Sequence, residues 1–398
     1  MPTESIAPQP PLPLRPEVAE LEPSKIVALW QQGFGRDDLI PLWVGEGDLT
    51  TPQVICDAAT KALADGHTFY THKRGWPELL DALDGYHGRL HGVRPEPARL
   101  SLTSAGMNGI QLILQAVLRS GDDMIALTPV WPNALAAAKI HGGAIRDVPL
   151  ARRADGGFTL DVDALDAAIG PATRAIFMAS PSNPTGWTAS EADLRAVIDL
   201  CRARGVWLIA DEVYHRFVYD SAQPASAPSV LPLIDPEDPV IVVNSFSKTW
   251  AMTGWRLAWL VHPPSMGPAF DSLIEFNTSG APAFLQAGAL AAIRDGEDFA
   301  REMVERCAAG RELVLQRLGA MRRVTLARPE GAFYAFFKVD GVSDSLAYAQ
   351  QILERTGVGL APGIAFGAAG EGHLRLCFAS SQTRLATAMD RLASLLDD

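Results

Sequence analysis

The sequence predicts an α/β fold: a large domain with a mostly parallel sheet sandwiched by helices, joined to a smaller α+β domain. Three observations predict it. Between about residues 100 and 263, short β-rich runs alternate with helical stretches. Most of those runs are continuously apolar, as strands covered on both faces are, with no in–out alternation. After about residue 290 the pattern changes to isolated strands among longer helical stretches, which marks a second, smaller unit.

Taken in order, LSLTS (100–104) reads as a strand and GMNGIQLILQAVL after it as a helix. DDMIALTPV and RAIFMAS (174–180) are strands. EADLRAVIDLCRARG (191–205) is an amphipathic helix with a glycine stop, and VWLIAD (206–211) a strand. VIVVNSF (240–246) and RLAWLVH (256–262) repeat the strand type. In the last third, ARPEGAFYAFFKV (327–339) and GHLRLCFA (372–379) are strands, flanked by helices at 297–318, 345–356 and 381–396. The expected division is an N-terminal arm over 1–20, a large domain over 46–285, and a small domain built from 21–45 with 286–398. The arm opens with MPTESIAPQPPLPLRP, whose prolines lead us to expect an extended segment.

Composition narrows the function. Of 398 residues 48% are hydrophobic and 20% charged, and the net charge is −12, which disfavours nucleic acid and anionic membrane as partners. No apolar run is long enough to span a bilayer, and no signal peptide opens the chain. Cys56, Cys201, Cys307 and Cys377 form no CxxC pair, as expected of reduced thiols in a cytoplasmic protein. No metal is expected, and none of the eight histidines is assigned to one.

In a parallel sheet, ligands bind beyond the carboxyl ends of the strands. Polar signals stand at four such ends: Ser104 to Met107, Pro181 to Asn183, Asp211 to Tyr214 and Ser245 to Lys248. A conjugated aldehyde cofactor with a ring nitrogen and a phosphate needs this kind of set. An amine must hold the aldehyde, and a carboxylate must keep the ring nitrogen protonated. A helix N-terminus and a fixed cation must hold the phosphate, and an aromatic face must cover the ring. Lys248 offers the amine and Asp211 the carboxylate. The Ala105-Gly106-Met107 turn opens a helix whose N–H groups suit a phosphate, helped by Ser245 and Arg256. Trp131, in TPVWPN, offers the face.

SPSNPTG (180–186), DEVY (211–214), SFSKTWAMTGWR (245–256) and HLRLCFA (373–379) resemble the class I/II aminotransferases, pyridoxal-phosphate enzymes of fold type I. YTHKRGWPELL (70–80) and LTSAGMNGI (102–110) extend the match over nearly the whole chain. A lone SxSK is weak evidence, whereas six ordered blocks at family spacing are strong. The resemblance implies pyridoxal 5'-phosphate as cofactor, carried by Lys248 as a Schiff base, with Lys248 also moving the proton. It implies that Asp211 pairs with the ring nitrogen, and that Asn183 and Tyr214 donate to the phenolic oxygen. Gly106, Met107, Ser245 and Arg256 would hold the phosphate, with Tyr70 reaching it from the other subunit of a homodimer. Arg375 would grip the substrate α-carboxylate, with Asn183 and the Gly45 backbone beside it.

The implied reaction is transfer of an amino group from an L-amino acid to a 2-oxo acid. The alternative is a β-lyase that releases pyruvate and ammonia from a sulfur-bearing amino acid with nearly the same residues. A regulator of the same fold would need a DNA-binding domain for which about 45 proline-rich residues leave no room. Dicarboxylate-specific relatives carry a second cation. Here one matching position is Met107, and EFNTSGAPAFLQ (275–286) has no basic residue, so a neutral or aromatic side chain is expected. Lys73 and Arg74 are the remaining cations that an acidic side chain would have to use, and with His72 and His215 they either line the substrate mouth or face solvent.

Overall fold

Seven strands make the central sheet of the computed structural model, which describes residues 14–219 and 226–397. They are β1 (Leu100–Thr103), β2 (Asp123–Thr128), β3 (Ala144–Pro149), β4 (Thr173–Ala179), β5 (Trp207–Asp211), β6 (Val240–Ser245) and β7 (Ala258–Val261). Their spatial order is β1-β7-β6-β5-β4-β2-β3. The runs read as doubly covered strands are so: every residue of β1, β2, β6 and β7 is buried. The pairs from β6 across to β3 are parallel.

β7 departs from the parallel pattern. It runs antiparallel to both neighbours, with Ala258 opposite Thr103 on one side and Ser245 on the other. Its start therefore lies at the edge where β1 and β6 end. That inversion brings Arg256, two residues before β7, to the same edge as Ser245.

Helices pack on both faces. The helix Glu191–Arg204 has the boundaries its sequence suggests: Ser190 and Asp193 form a capping box, and Gly205 closes it in the left-handed conformation. The later chain adds a four-stranded sheet of β8 (Val324–Thr325), β9 (Tyr334–Val339), β10 (Ala361–Pro362) and β11 (His373–Cys377), ordered β8-β9-β11-β10. The β9 strand is shorter than expected, because residues 327–330 take no regular structure, Gly331 forms an isolated antiparallel bridge to Val218, and residues 332 and 333 turn into the strand; Gly331 also presses on the 180–188 loop. A Cβ there would lie 2.6 Å from Thr188 Oγ1.

The N-terminal part is tied to this second sheet region. Ile40 and Pro41 pair in parallel with Val358 and Gly359, and the Leu42 carbonyl accepts from Cys377 N–H. Residues 1–13 of the expected arm lie outside the described residues. Its remainder is not extended throughout: Pro16–Ala19 form a helical turn, for which proline at the first position is suited, and Arg15 bonds to the Ile140 carbonyl.

Candidate active site

The strand ends meet in one cavity of about 550 Å³ between the central sheet and the second sheet region. β6 runs into a short helix, Phe246–Thr249, that aims Lys248 into it. The Lys248 ammonium donates to the Gly45 carbonyl at 2.6 Å and, among the described residues, forms no ion pair. Burial lowers its pKa to about 8, against the opposing pull of Cys377 and Glu46. Asp211 ends β5 on the same wall. Burial raises its pKa to about 6, while the Val213 N–H, 3.2 Å from Oδ1, and Lys248 pull it down. A half-buried amine and a buried carboxylate face one cavity without neutralising each other as a contact pair.

The substrate-side cation is held from several directions. Arg375 on β11 donates to Asn183 Oδ1 at 2.8 Å and to the Trp43 carbonyl. Its guanidinium lies between the rings of Tyr334, 4.6 Å from the centroid, and Phe366, at 4.9 Å. Among the described residues its Nε is buried without a partner. Tyr214 sets its hydroxyl 2.6 Å from that of Tyr334, and burial raises its pKa. Gly45 has no freedom to be larger, since a Cβ there would fall 2.2 Å from the Tyr334 oxygen.

The opposite end suits an anion. Ala105 caps the helix Gly106–Val117 with φ 104° and ψ 156°, and the first helical bond from Gly109 N–H returns to the Ala105 carbonyl. The N–H groups of Gly106 and Met107 belong to the unpaired first turn of the helix and point its positive end at the cavity. A Cβ on Gly106 would meet only Val243, at 3.9 Å, so this chain leaves room above the turn. Ser245 and Ser247 stand beside it, their hydroxyls 2.9 Å apart. Arg256 adopts the left-handed conformation, φ 56°, and bonds to the Thr253 carbonyl while lining the cavity. Half-buried Trp131 lines it from the N-cap of the helix Pro132–Ile140.

Two expected residues do not reach this cavity within the chain. Ala105 shapes the turn without lining the wall, and Tyr70 is 91% exposed. Of the four undecided side chains, Lys73 pairs with Glu275, and Arg74 bonds to the Ala98 carbonyl and lies 3.9 Å from Asp271. His72 does not line the cavity. His215 is neither solvated nor at the mouth: it is buried, 2.8 Å from the Tyr86 hydroxyl. His87 and His91 stand four apart in HGRLH with stacked rings, yet among the described residues no group of three or more His, Cys, Asp or Glu could hold a metal ion.

Sequence reasoning missed Ser247, Tyr334, Trp43 and the helix Lys25–Gln32, which contributes Ile26, Val27 and Trp30 to the wall. Ser24 caps that helix through Val27 N–H, a cap visible in SKIVALWQQ. Nothing local says that it covers a site.

The donors present fit pyridoxal phosphate: a half-buried amine without an ion-pair partner among the described residues, a buried carboxylate, helix N-terminal N–H groups with hydroxyls and an arginine, and an aromatic face. The family description "Aminotransferase class I and II" matches residues 37–392. Aspartate aminotransferase from Pyrococcus horikoshii is 32% identical over 94% of this chain and 95% of its own. Aromatic-amino-acid aminotransferase 2 from Thermococcus litoralis is 31% identical over 95% and 97%. The crystal structure of an aminotransferase from Mycobacterium tuberculosis superposes with a TM-score of 0.89 at 32% identity, over 97% of this chain and 99% of that one. The chain therefore belongs to the class I and II aminotransferases, and it is a pyridoxal-phosphate-dependent enzyme that moves an amino group from an amino acid to a 2-oxo acid.

Proposed function

We propose that this aminotransferase works on amino acids with neutral or aromatic side chains, its site residues dividing the labour among them. The bound cofactor supplies a conjugated ring that spreads negative charge away from the carbon bearing the amino group. Lys248 holds the cofactor and, once released, moves the proton at the substrate Cα through Nζ. Its lowered pKa leaves a usable share of neutral amine near neutral pH. Asp211 holds the ring nitrogen's proton, and the approach of that cation favours its charged form. Gly106, Met107, Ser245 and Arg256 bind the phosphate, and Trp131 covers the ring. Tyr214 and Asn183 donate to the ring oxygen.

Arg375 binds the α-carboxylate in the planar, two-pronged manner its geometry allows. Its fork is already oriented by Asn183, Trp43 and two rings, so little ordering is left for binding to cost. The protein further reads as a large unit over 46–285, a small one from 21–45 and 286–398, and an arm over 1–20; the ladder between Ile40–Pro41 and Val358–Gly359 supports joining the two small-unit segments. Tyr70 serves the site of a second subunit in a homodimer, a reading supported by its exposure beside Phe69 (84% exposed) and by Phe276 (81%).

One observation carries the substrate preference. Among the described residues lining the cavity, Lys248, Arg256 and Arg375 are the basic ones, and each has a task. The wall contributed by residues 24–46 is Ile26, Val27, Trp30, Trp43 and Val44 with Gly45, Ser24 and the acidic Glu46, and none of these offers a cation to a side-chain carboxylate. The test is a half-reaction panel that follows the cofactor's visible band as each amino acid converts it to the amine form. Leucine, methionine and phenylalanine are expected to react at least about tenfold faster than aspartate, since about 1.4 kcal/mol is within reach of an apolar pocket. A panel in which only aspartate and glutamate react would overturn the reading.

A further inference from the structure

A second tyrosine stands in the cavity wall without a task in these assignments. Tyr334 on β9 is fully buried. Strand register sets it opposite Cys377, diagonal to Arg375 on the same face of the sheet. Three contacts converge on it. Its hydroxyl is 2.6 Å from that of Tyr214, its ring carries the Arg375 guanidinium at 4.6 Å, and its oxygen fills the space a side chain at Gly45 would need.

Two hydroxyls at that distance share one hydrogen bond, so one donates and the other accepts. Among the described residues Tyr334 has no second acceptor for its proton. If Tyr214 were the donor, the Tyr334 proton would be buried and unpaired, which incurs the desolvation penalty of an unmade hydrogen bond. The arrangement without that cost has Tyr334 donating to Tyr214, which turns the Tyr214 proton toward the cavity. The Arg375 charge over the ring draws electron density from the Tyr334 hydroxyl and strengthens it as a donor, and linked hydrogen bonds strengthen one another.

We propose that Tyr334 is a positioning residue for amino transfer: its hydroxyl orients and polarises Tyr214 as a donor to the cofactor's ring oxygen, and its ring couples that donor to carboxylate binding at Arg375. The proposal rests on the roles read above for Tyr214 and Arg375. A stronger donor at the ring oxygen lowers the basicity of the nitrogen that joins Lys248 to the cofactor. A carboxylate on Arg375 cancels the charge over the Tyr334 ring, relaxes the chain of donors and raises that basicity. The other groups facing the lysine nitrogen are Glu46, Cys377, Asp211 and Arg256, and replacing the Tyr334 hydroxyl alters none of them.

The test is a pH titration of the holoenzyme's visible absorbance, with and without saturating 4-methylpentanoate, a carboxylate without an amino group. Wild type is compared with Tyr334→Phe, Tyr214→Phe and the double variant. Tyr334→Phe keeps the ring under Arg375, so 4-methylpentanoate affinity should stay within about twofold. Its titration midpoint should rise by about 0.3 pH unit, and the further rise caused by the carboxylate should be smaller than in wild type. Turnover should fall roughly threefold with little change in KM. Tyr214→Phe should move the midpoint further in the same direction, and the double variant no further than that. A midpoint unmoved by Tyr334→Phe but moved by Tyr214→Phe would overturn this proposal and leave the Tyr214 assignment standing. Midpoints unmoved in both would remove the two together.

Discussion

Ala105 carries a backbone conformation that an L-residue seldom takes. With φ 104° and ψ 156° it sits in a region open essentially to glycine, where other residues incur a strain of roughly 1–3 kcal/mol. Its carbonyl is fixed from two sides, by the Thr103 hydroxyl at 3.1 Å and by Gly109 N–H. The geometry is needed because the chain must turn from a buried strand end into a helix whose first N–H groups face the cavity. Ala105→Gly should therefore stabilise the protein by about 1 kcal/mol, the relieved strain exceeding glycine's larger entropy loss. Urea unfolding of the two cofactor-free proteins measures it, and a lower midpoint for the glycine variant would refute the strain. The sequence places Ala105 at a helix start, but its torsion angle depends on where the strand end and the helix are each anchored.

At the scale of elements, the functional strand ends were legible because both faces of those strands are buried. Continuous apolar runs then stop where the chain emerges, and polar residues such as Asp211 and Ser245 mark the emergence. The direction of β7 was not legible, since its four residues are as apolar as any parallel strand and only pairing with β1 and β6 reveals the inversion. The helix Lys25–Gln32 was missed for a different reason. It buries only Leu29 and leaves Trp30 41% exposed, so it carries a weak core signal while its half-exposed face closes the cavity. Trp30→Ala removes apolar wall without touching Lys248 or Arg375. It should raise KM for phenylalanine about five- to tenfold, leave kcat within about twofold, and change alanine kinetics little. Equal losses for phenylalanine and alanine would place Trp30 outside the side-chain pocket.

The whole molecule answers acid through groups that the sequence could not rank. Its histidines and carboxylates are plain to read, but their burial is a property of the assembled fold. His87 is lowered by burial to about 3, and His91, His262 and His373 to about 4. His215 lies well below the usual value for the same reason, with Arg216 adding to it. Each of these is neutral when folded and takes up a proton when the chain unfolds below the ordinary histidine pKa of about 6.5. Each therefore contributes stability above that value and loses it as pH falls toward its folded pKa. Asp211 and Glu212 act in the opposite sense. Burial raises them to about 6 and about 7, so the folded chain holds their protons over the window in which the unfolded chain has released them. These five histidines against two carboxylates leave a net uptake of about three protons on unfolding near pH 5, His141, lowered by burial, adds in the same sense, and stability should fall with acid from about pH 6.5 to 4. Urea midpoints of the cofactor-free protein across that range measure the slope. His91→Gln keeps a side chain of similar reach but cannot titrate, so it should reduce the slope by about one proton. A slope equal to wild type would mean that His91 is protonated in the folded protein, and that the buried cluster around Tyr86 and Arg216 tolerates a further positive charge.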